Sequence, residues 1–159
     1  MSTGKLADAE HGDAVVVAGL PARDDPTELQ GYEPDAVVLT AEERRWGRRR
    51  VVTRAGRVFT LMLPPGEVLA PGRLLYVGAG WYVTVEAASE ALLAVHPRSE
   101  REGLRVALEV GRLHAALAVA GDRLLVPDEP ALERLLARLE VPWTRVHAPF
   151  LPIGTGSPH

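Results

Sequence analysis

The first half of the chain, up to about residue 86, alternates short apolar segments with clusters of turn-forming residues. The segments are rich in β-branched and aromatic residues, and proline and glycine occupy the breaks between them. This pattern favours short strands joined by turns. No apolar stripe with helical spacing occurs here. The predicted strands are residues 15–17, 36–39, 50–53, 58–63, 74–77 and 82–85. We therefore predict an all-β N-terminal domain, either a small sandwich or a barrel.

The second half combines helical and strand periods. Ser99 and Glu102 form an S-x-x-E capping box, which predicts the start of a helix, and Leu104 and Leu108 follow at helical spacing. Pro130 is tolerated in the first turn of a second predicted helix. That helix has its apolar stripe at Leu132, Leu135, Leu136 and Leu139.

Four predicted strands flank these helices, at residues 92–96, 114–120, 123–127 and 143–148, with Gly121-Asp122 as a tight hairpin turn. The order strand, helix, strand, strand, helix, strand is the ferredoxin-like βαββαβ arrangement. The fold class is therefore predicted to be α+β. We expect a β domain at 1–86, with 1–13 mobile, a ferredoxin-like domain at 87–150, and a flexible tail at 151–159.

The composition limits the classes of function that the protein can have. The 159 residues are 47% hydrophobic and 25% charged, which is typical of a globular chain, and the net charge of −3 favours neither nucleic acid nor an anionic membrane. Cysteine is absent, which excludes disulfides, thiolate nucleophiles and cysteine metal sites. No apolar run approaches the roughly 18 residues of a membrane span. No secretory signal is recognisable, so we expect a cytoplasmic protein without membrane association.

Catalytic motifs are missing from the sequence. It contains no G-x-S-x-G, no phosphate-binding G-x-x-x-x-G-K and no H-E-x-x-H. Gly78-Ala79-Gly80 lacks the third glycine and the following helix of a dinucleotide-binding loop, so it is interpreted as a turn. We predict that the protein is not an enzyme.

An arginine-rich segment suggests a second class of function. Seven arginines lie between residues 44 and 57, with Trp46 among them, and such a segment can bind phosphates and stack on bases. However, a strand places Arg48 and Arg50 on the face opposite Arg49, and Glu42 and Glu43 adjoin the segment. A solvated sheet edge or a docking surface for an acidic partner is therefore favoured over nucleic-acid binding.

Several short motifs, in order, resemble those of one known family. Leu39-Thr40-Ala41-Glu42-Glu43-Arg44 resembles an L-T-x-x-E-R motif, and Leu63-Pro64-Pro65-Gly66 resembles L-P-R-G. Gly111-Arg112-Leu113-His114 stands where the family usually has G-N-R-H. Leu132-Glu133-Arg134-Leu135-Leu136 resembles the helix of D-H-V-L-x-x-M-L, and Ala148-Pro149-Phe150-Leu151-Pro152 resembles a closing A-P-F-x-P-E. Across residues 36 to 152 the chain is similar to the urease accessory protein UreE family of nickel metallochaperones.

This resemblance implies a function and a metal site. The implied function is nickel delivery to the urease apoprotein, together with a GTP-hydrolysing accessory protein. The family fold implies a homodimer through the ferredoxin-like domain, in which a histidine in the first turn of the second helix lies at the two-fold axis. Histidines of the C-terminal tail complete the nickel coordination. Here Pro130 occupies the position of the axial histidine, and proline has no side-chain lone pair to offer.

Five histidines remain as candidate ligands. His147, near the domain edge, and His159, at the end of the tail, are predicted to bind metal. His114 is interpreted as a structural hydrogen-bonding residue at the start of a strand, and His11 and His96 as surface residues. Because Pro130 replaces the axial histidine, an interaction scaffold of the urease activation complex that binds no metal is the alternative.

Overall fold

The computed structural model describes residues 14–22 and 26–154 of the chain. The contacts among these residues divide it into two compact units after Glu86, and the short segment Thr40–Glu43 belongs to the second of them. We call the first the β unit and the second the α+β unit. None of the helices in the described ranges is long and apolar enough to cross a membrane.

The β unit consists of six short strands in two three-stranded sheets. The strands are β1 (Val15–Val17), β2 (Glu33–Leu39), β3 (Arg48–Val52), β4 (Val58–Met62), β5 (Leu74–Val77) and β6 (Trp81–Ala87). One sheet has the order β1-β4-β3, with β1 parallel and β3 antiparallel to β4. The other has the order β2-β6-β5. The predicted strand-rich first half is confirmed.

One apolar cluster holds the β unit together, and all six strands contribute to it. Phe59 and Leu61 of β4 lie at its centre, with Val83 of β6 from the other sheet equally buried. Alternate residues of each strand point into this cluster, as a sandwich of two sheets requires. Removing this apolar surface from water is the main force that stabilises the unit.

Two short 3-10 turns in the first half were not predicted, at Pro26–Glu28 and Glu43–Arg45. The second is preceded by a reciprocal cap, in which Thr40 Oγ1 accepts from the Glu43 N–H at 3.1 Å and the Glu43 carboxylate accepts from the Thr40 N–H at 3.0 Å. The T-x-x-E pattern is a capping box. Its presence in the sequence was the available sign of this turn.

The α+β unit has the predicted βαββαβ order. Its elements are β7 (Ser89–Val95), α1 (Glu100–Arg112), β8 (Ala118–Ala120), β9 (Arg123–Pro127), α2 (Pro130–Leu139) and β10 (Trp143–Pro149). The four strands form one sheet in the order β10-β7-β9-β8, with every neighbouring pair antiparallel. This is the ferredoxin-like topology, so the predicted α+β fold class is confirmed.

The sheet of the α+β unit buries apolar residues on both faces. On one face, Leu93 and Val126 pack with Val106 and Val110 of α1 and with Leu132 of α2. On the other, Leu92, Ala94 and Leu125 pack with Phe150, which follows β10. Because neighbouring residues of β7 point to opposite faces, the continuous apolar run Leu92-Leu93-Ala94-Val95 serves both clusters.

The cap of α1 differs in one detail from its prediction. Ser99 Oγ accepts from the Glu102 N–H at 3.1 Å, as predicted. The Glu102 carboxylate, however, binds Arg98, through the backbone N–H at 3.0 Å and the guanidinium at 2.9 Å. The preceding arginine therefore takes the place of the N-cap amide, because its guanidinium supplies an ionic hydrogen bond that the Ser99 amide lacks.

Candidate metal centre

The topology places three loops at one end of the α+β unit. The register pairs Pro149 with Ser89 and Pro127 with Leu92, so β10 and β9 both end where β7 begins. Strand β8 runs antiparallel to β9 and therefore begins at this same end. The α1–β8 loop, the β9–α2 loop and the segment after β10 consequently lie there. We call this the loop end of the unit.

His114 lies in the α1–β8 loop, where the helix closes. It adopts a left-handed backbone with φ of 55°. Its N–H donates to the Gly111 carbonyl at 3.0 Å and the Ala115 N–H donates to the Val110 carbonyl at 3.3 Å. These two bonds form a Schellman motif, in which glycine is usual and a histidine costs about 1 kcal/mol.

Two predictions about His114 are wrong. The predicted strand 114–120 is shortened to Ala118–Ala120, because residues 113–115 satisfy the last carbonyls of α1 instead of pairing in the sheet. The predicted structural hydrogen bond of the imidazole is also missing: the side chain is exposed, and it has no hydrogen-bond partner within residues 14–22 and 26–154. The sequence showed no sign of the strained turn, since the apolar residues that follow His114 suited a strand.

Pro130 begins α2 at the loop end, at a position where its missing N–H costs no hydrogen bond. Glu129 precedes it as the N-cap residue, but its side chain makes no capping bond. Both residues are exposed. The helix therefore begins on backbone geometry alone, and the Glu129 carboxylate is available to a cation.

His147 lies near the end of β10, an edge strand of the sheet, where it is paired with Ala91 and exposed. Arg145, two residues earlier and on the same face, binds Glu133 of α2 at 2.8 Å and Asp128 at 3.4 Å. The Glu133 hydrogen bond and charge raise the pKa of Arg145 above its ordinary value, and Asp128 adds to the effect. Both carboxylates are thus paired with Arg145, and within the described residues they do not join His147 in a group that could hold a metal ion.

His96 lies at the opposite end of the sheet from the other described histidines, just after β7. Its Nε2 lies 3.1 Å from Thr144 Oγ1 and its N–H donates to the Pro142 carbonyl at 2.8 Å. It is half-buried. His96 therefore links β7 to β10 from a partly exposed position at the surface of the unit.

The segment after β10 returns toward the loop of His114. Phe150 is buried in the sheet, and the Ile153 N–H donates to the Leu117 carbonyl at 2.9 Å. Leu117 lies three residues after His114 in the chain. His159 and His11 lie outside the described residues.

The structure thus brings His114, Glu129 and His147 to one end of the unit without joining them into a closed cluster. Within the ranges 14–22 and 26–154, no three histidine or carboxylate side chains lie close enough together to hold a metal ion. Nickel(II) accepts imidazole and carboxylate donors. The loop end therefore presents imidazole and carboxylate groups singly, and a closed site would require a further chain segment or a second copy.

Comparison with protein-family models decides the family. Residues 16–88 match the N-terminal domain of the UreE urease accessory protein, and residues 90–158 match its C-terminal domain. The chain belongs to the UreE family. A UreE urease accessory protein from Synechococcus sp. is 37% identical over 110 residues, covering 69% of this chain and 74% of the relative. That from Deinococcus radiodurans is 40% identical over 114 residues, covering 72% of this chain and 74% of the relative. The resemblance found in the sequence motifs is confirmed.

Proposed function

We propose that this UreE-family protein binds nickel and assists its delivery to urease, acting on the urease apoprotein together with a GTP-hydrolysing accessory protein. Membership of the family supports the urease partnership. The side chains at the loop end support nickel binding, because neutral imidazole and carboxylate are donors that nickel(II) accepts. The proposed ligands are the predicted His147 and His159, and we add His114.

The main observation in favour of nickel binding concerns the side chain of His114. Its imidazole is exposed, and no hydrogen bond to the described residues occupies it. It also stands at the histidine of the G-N-R-H motif that the chain resembles. The Ile153–Leu117 bond brings the last described residues beside the same loop, and His159 of the tail is the second ligand that we propose. A fixed ligand and a ligand on a tether suit a carrier, because the tethered one can leave first when the metal is transferred.

A homodimer would complete the site. Leu104 and Leu108 are 66% and 56% exposed, one turn apart on α1, and Leu113 at the end of the same helix is exposed as well. Exposed apolar side chains grouped in this way favour a protein interface. In a two-fold dimer each ligand is duplicated, so two copies of His114 can serve one ion. The predicted dimerisation through the ferredoxin-like unit therefore remains our proposal.

The second candidate function is a scaffold that binds partners but no metal. Pro130 in place of an axial histidine favours it, and so does the absence of a closed three-ligand cluster among the described residues. In this case the dimer and the β unit retain their binding roles, while another subunit of the urease assembly holds the nickel.

Calorimetric titration with nickel distinguishes the two functions. Under our proposal the intact chain binds micromolar nickel, and the chain that ends at Gly154 binds it more weakly because His159 is lost. His147→Ala tests the predicted edge ligand in the same assay. If the intact chain gives no heat of binding at micromolar nickel, the scaffold function is correct.

His114→Gly provides the sharpest variant, because glycine suits the left-handed turn. We expect the free energy of unfolding to stay unchanged or rise by up to about 1 kcal/mol, while nickel affinity falls at least about tenfold. Glu140→Gly is the matched control: Glu140 has φ of 54° and closes α2 in the same way. It should alter stability similarly and leave nickel binding intact. Equal nickel affinity in both variants would exclude His114 as a ligand.

A further inference from the structure

Most arginines of the arginine-rich segment make contacts within the β unit itself. Arg44 is buried and donates to the Leu39 carbonyl at 3.0 Å. Arg57 pairs with Asp35 at 2.7 Å, and Arg54 pairs with Glu86 at 2.6 Å. Arg49 lies over the ring of Trp46, with 5.0 Å to the ring centroid. Four of the seven arginines therefore have structural contacts, and three remain for a partner.

Two of those three, Arg48 and Arg50, lie on the outer face of sheet β1-β4-β3. They alternate with Arg49 and Val51, and Val51 is buried in the core. Both side chains are exposed, and neither side chain makes an ion pair or hydrogen bond with any described residue. Their cross-strand neighbours on β4 are Met62 and Thr60, so no carboxylate stands opposite either guanidinium.

The same face exposes apolar side chains. Val16 of β1, Val52 of β3 and Met62 of β4 are 58%, 58% and 45% exposed. The register places Val16 beside Thr60 and Thr60 beside Arg50, and Met62 beside Arg48. The apolar and cationic positions therefore form one continuous surface, which we call the outer arginine face: Val16, Arg48, Arg50, Val52, Thr60 and Met62. Such a contiguous apolar patch edged by charge is typical of a protein-binding surface.

We propose that the outer arginine face is a docking surface for an acidic, extended segment of another protein. Arg48 and Arg50 are two residues apart on one strand, which matches carboxylates at alternate positions of an extended chain. Apolar residues of the same segment lie on Val16, Val52 and Met62. The net charge of the chain is −3, so the face is a local positive surface on an acidic protein and selects acidic partners by its charge.

The apolar content of the face favours a protein segment over nucleic acid. A nucleic acid needs several arginines aligned along a phosphate backbone and an aromatic platform for its bases. Here Arg49 already lies over the ring of Trp46, and Arg49 lies on the face of β3 opposite Arg48 and Arg50. Nucleic-acid binding is thus the alternative outcome of the test. This inference does not depend on nickel binding, because the face lies in the β unit.

Fluorescence anisotropy of the full chain with a labelled short peptide that alternates glutamate and valine tests the proposal. We expect micromolar binding that weakens with salt, since exposed charges are screened. The double variant Arg48→Glu with Arg50→Glu should weaken binding at least about tenfold. Met62→Gln should weaken it several-fold without changing the salt dependence.

The matched control places the same charge change on the α+β unit, as Arg105→Glu with Arg134→Glu. Both residues are exposed and have no ion pair with a described residue. This control should bind the peptide nearly as the unmodified chain does. Four outcomes would each overturn the proposal. The first is that the peptide does not bind, and the second is that the control variant loses as much affinity as the double variant. The others are that a peptide with lysine in place of glutamate binds equally well, or that a short single-stranded RNA binds more tightly. In the first of these cases the arginines serve only to prevent edge-to-edge strand pairing.

Discussion

Asp35 is the residue on which the local order of the β unit depends most. Its carboxylate is buried and accepts from the Ala36 N–H at 2.8 Å, the Ala55 N–H at 3.1 Å and the Arg57 guanidinium at 2.7 Å. Arg57 in turn lies 4.2 Å from the centroid of the Trp81 ring. One side chain thus links β2, the β3–β4 turn and β6.

Burial raises the pKa of Asp35, but the hydrogen bonds from Thr53, Arg57, Ala36 and Ala55 together outweigh burial and lower it below its ordinary value. Its stabilising contribution is therefore complete above the unfolded-state pKa of about 4 and is lost as pH falls through the lowered folded-state pKa. Asp35→Asn should reduce the free energy of unfolding by about 1–3 kcal/mol at neutral pH.

Urea denaturation at pH 7 and pH 3 measures this effect, and the difference between the two proteins should shrink at the lower pH. Glu86→Gln is the control, because the Arg54–Glu86 pair is exposed and such pairs contribute at most about 1 kcal/mol. A difference between Asp35→Asn and the unmodified chain that is unchanged at pH 3 would contradict this account.

At the residue scale the sequence predicted the helix cap at Ser99 better than the role of His114. Ser99 was recognisable as a cap because its partner Glu102 lies three residues away, so the whole motif is local. His114 was misinterpreted because its role depends on how α1 ends and on the absence of a partner for its imidazole. Neither property is visible in the neighbouring residues.

At the element scale, burial distinguishes leucines on the two helices of the α+β unit. Leu135 is buried against the sheet, whereas Leu104 of α1 is exposed. Leu135→Asp should unfold the α+β unit, since burying an unpaired carboxylate and losing the apolar contacts together cost at least about 4 kcal/mol. Leu104→Asp is the same chemical change at an exposed position and should leave the unit folded.

Circular dichroism and thermal denaturation of the two variants test this difference. A folded Leu135→Asp variant with an unchanged melting temperature would mean that α2 does not pack on the sheet as described. If Leu104→Asp unfolds the unit as well, then Leu104 is not exposed on α1 as described.

Strand positions were predictable where alternation and turn residues agreed, and three strands (β1, β5 and β9) have the bounds expected from the sequence. The boundaries of β8 were not predictable, because apolar residues from Ala115 to Leu117 suit a strand as well as they suit the core under the helix. Tertiary packing decided between them. The pairing of β1 with β4 in parallel likewise depends on contacts distant in sequence.

At the scale of the whole molecule, the sequence predicted the family scaffold. The βαββαβ order and the two family domains were recognisable because they rest on many apolar positions. The candidate site rests on few residues, one of which, Pro130, departs from the pattern. A site of the proposed kind, divided between two copies and a tail, would leave no local pattern in one chain, so its completeness was not predictable.

The central claim is that two copies of this chain hold one nickel ion between their loop ends. Native mass spectrometry of the full-length protein with equimolar nickel measures the number of chains and metal ions together. We predict a dimer with one nickel ion, and an apo dimer for the His114→Gly variant. A monomer that binds nickel by itself, or a dimer that remains free of nickel at micromolar concentration, would contradict the claim.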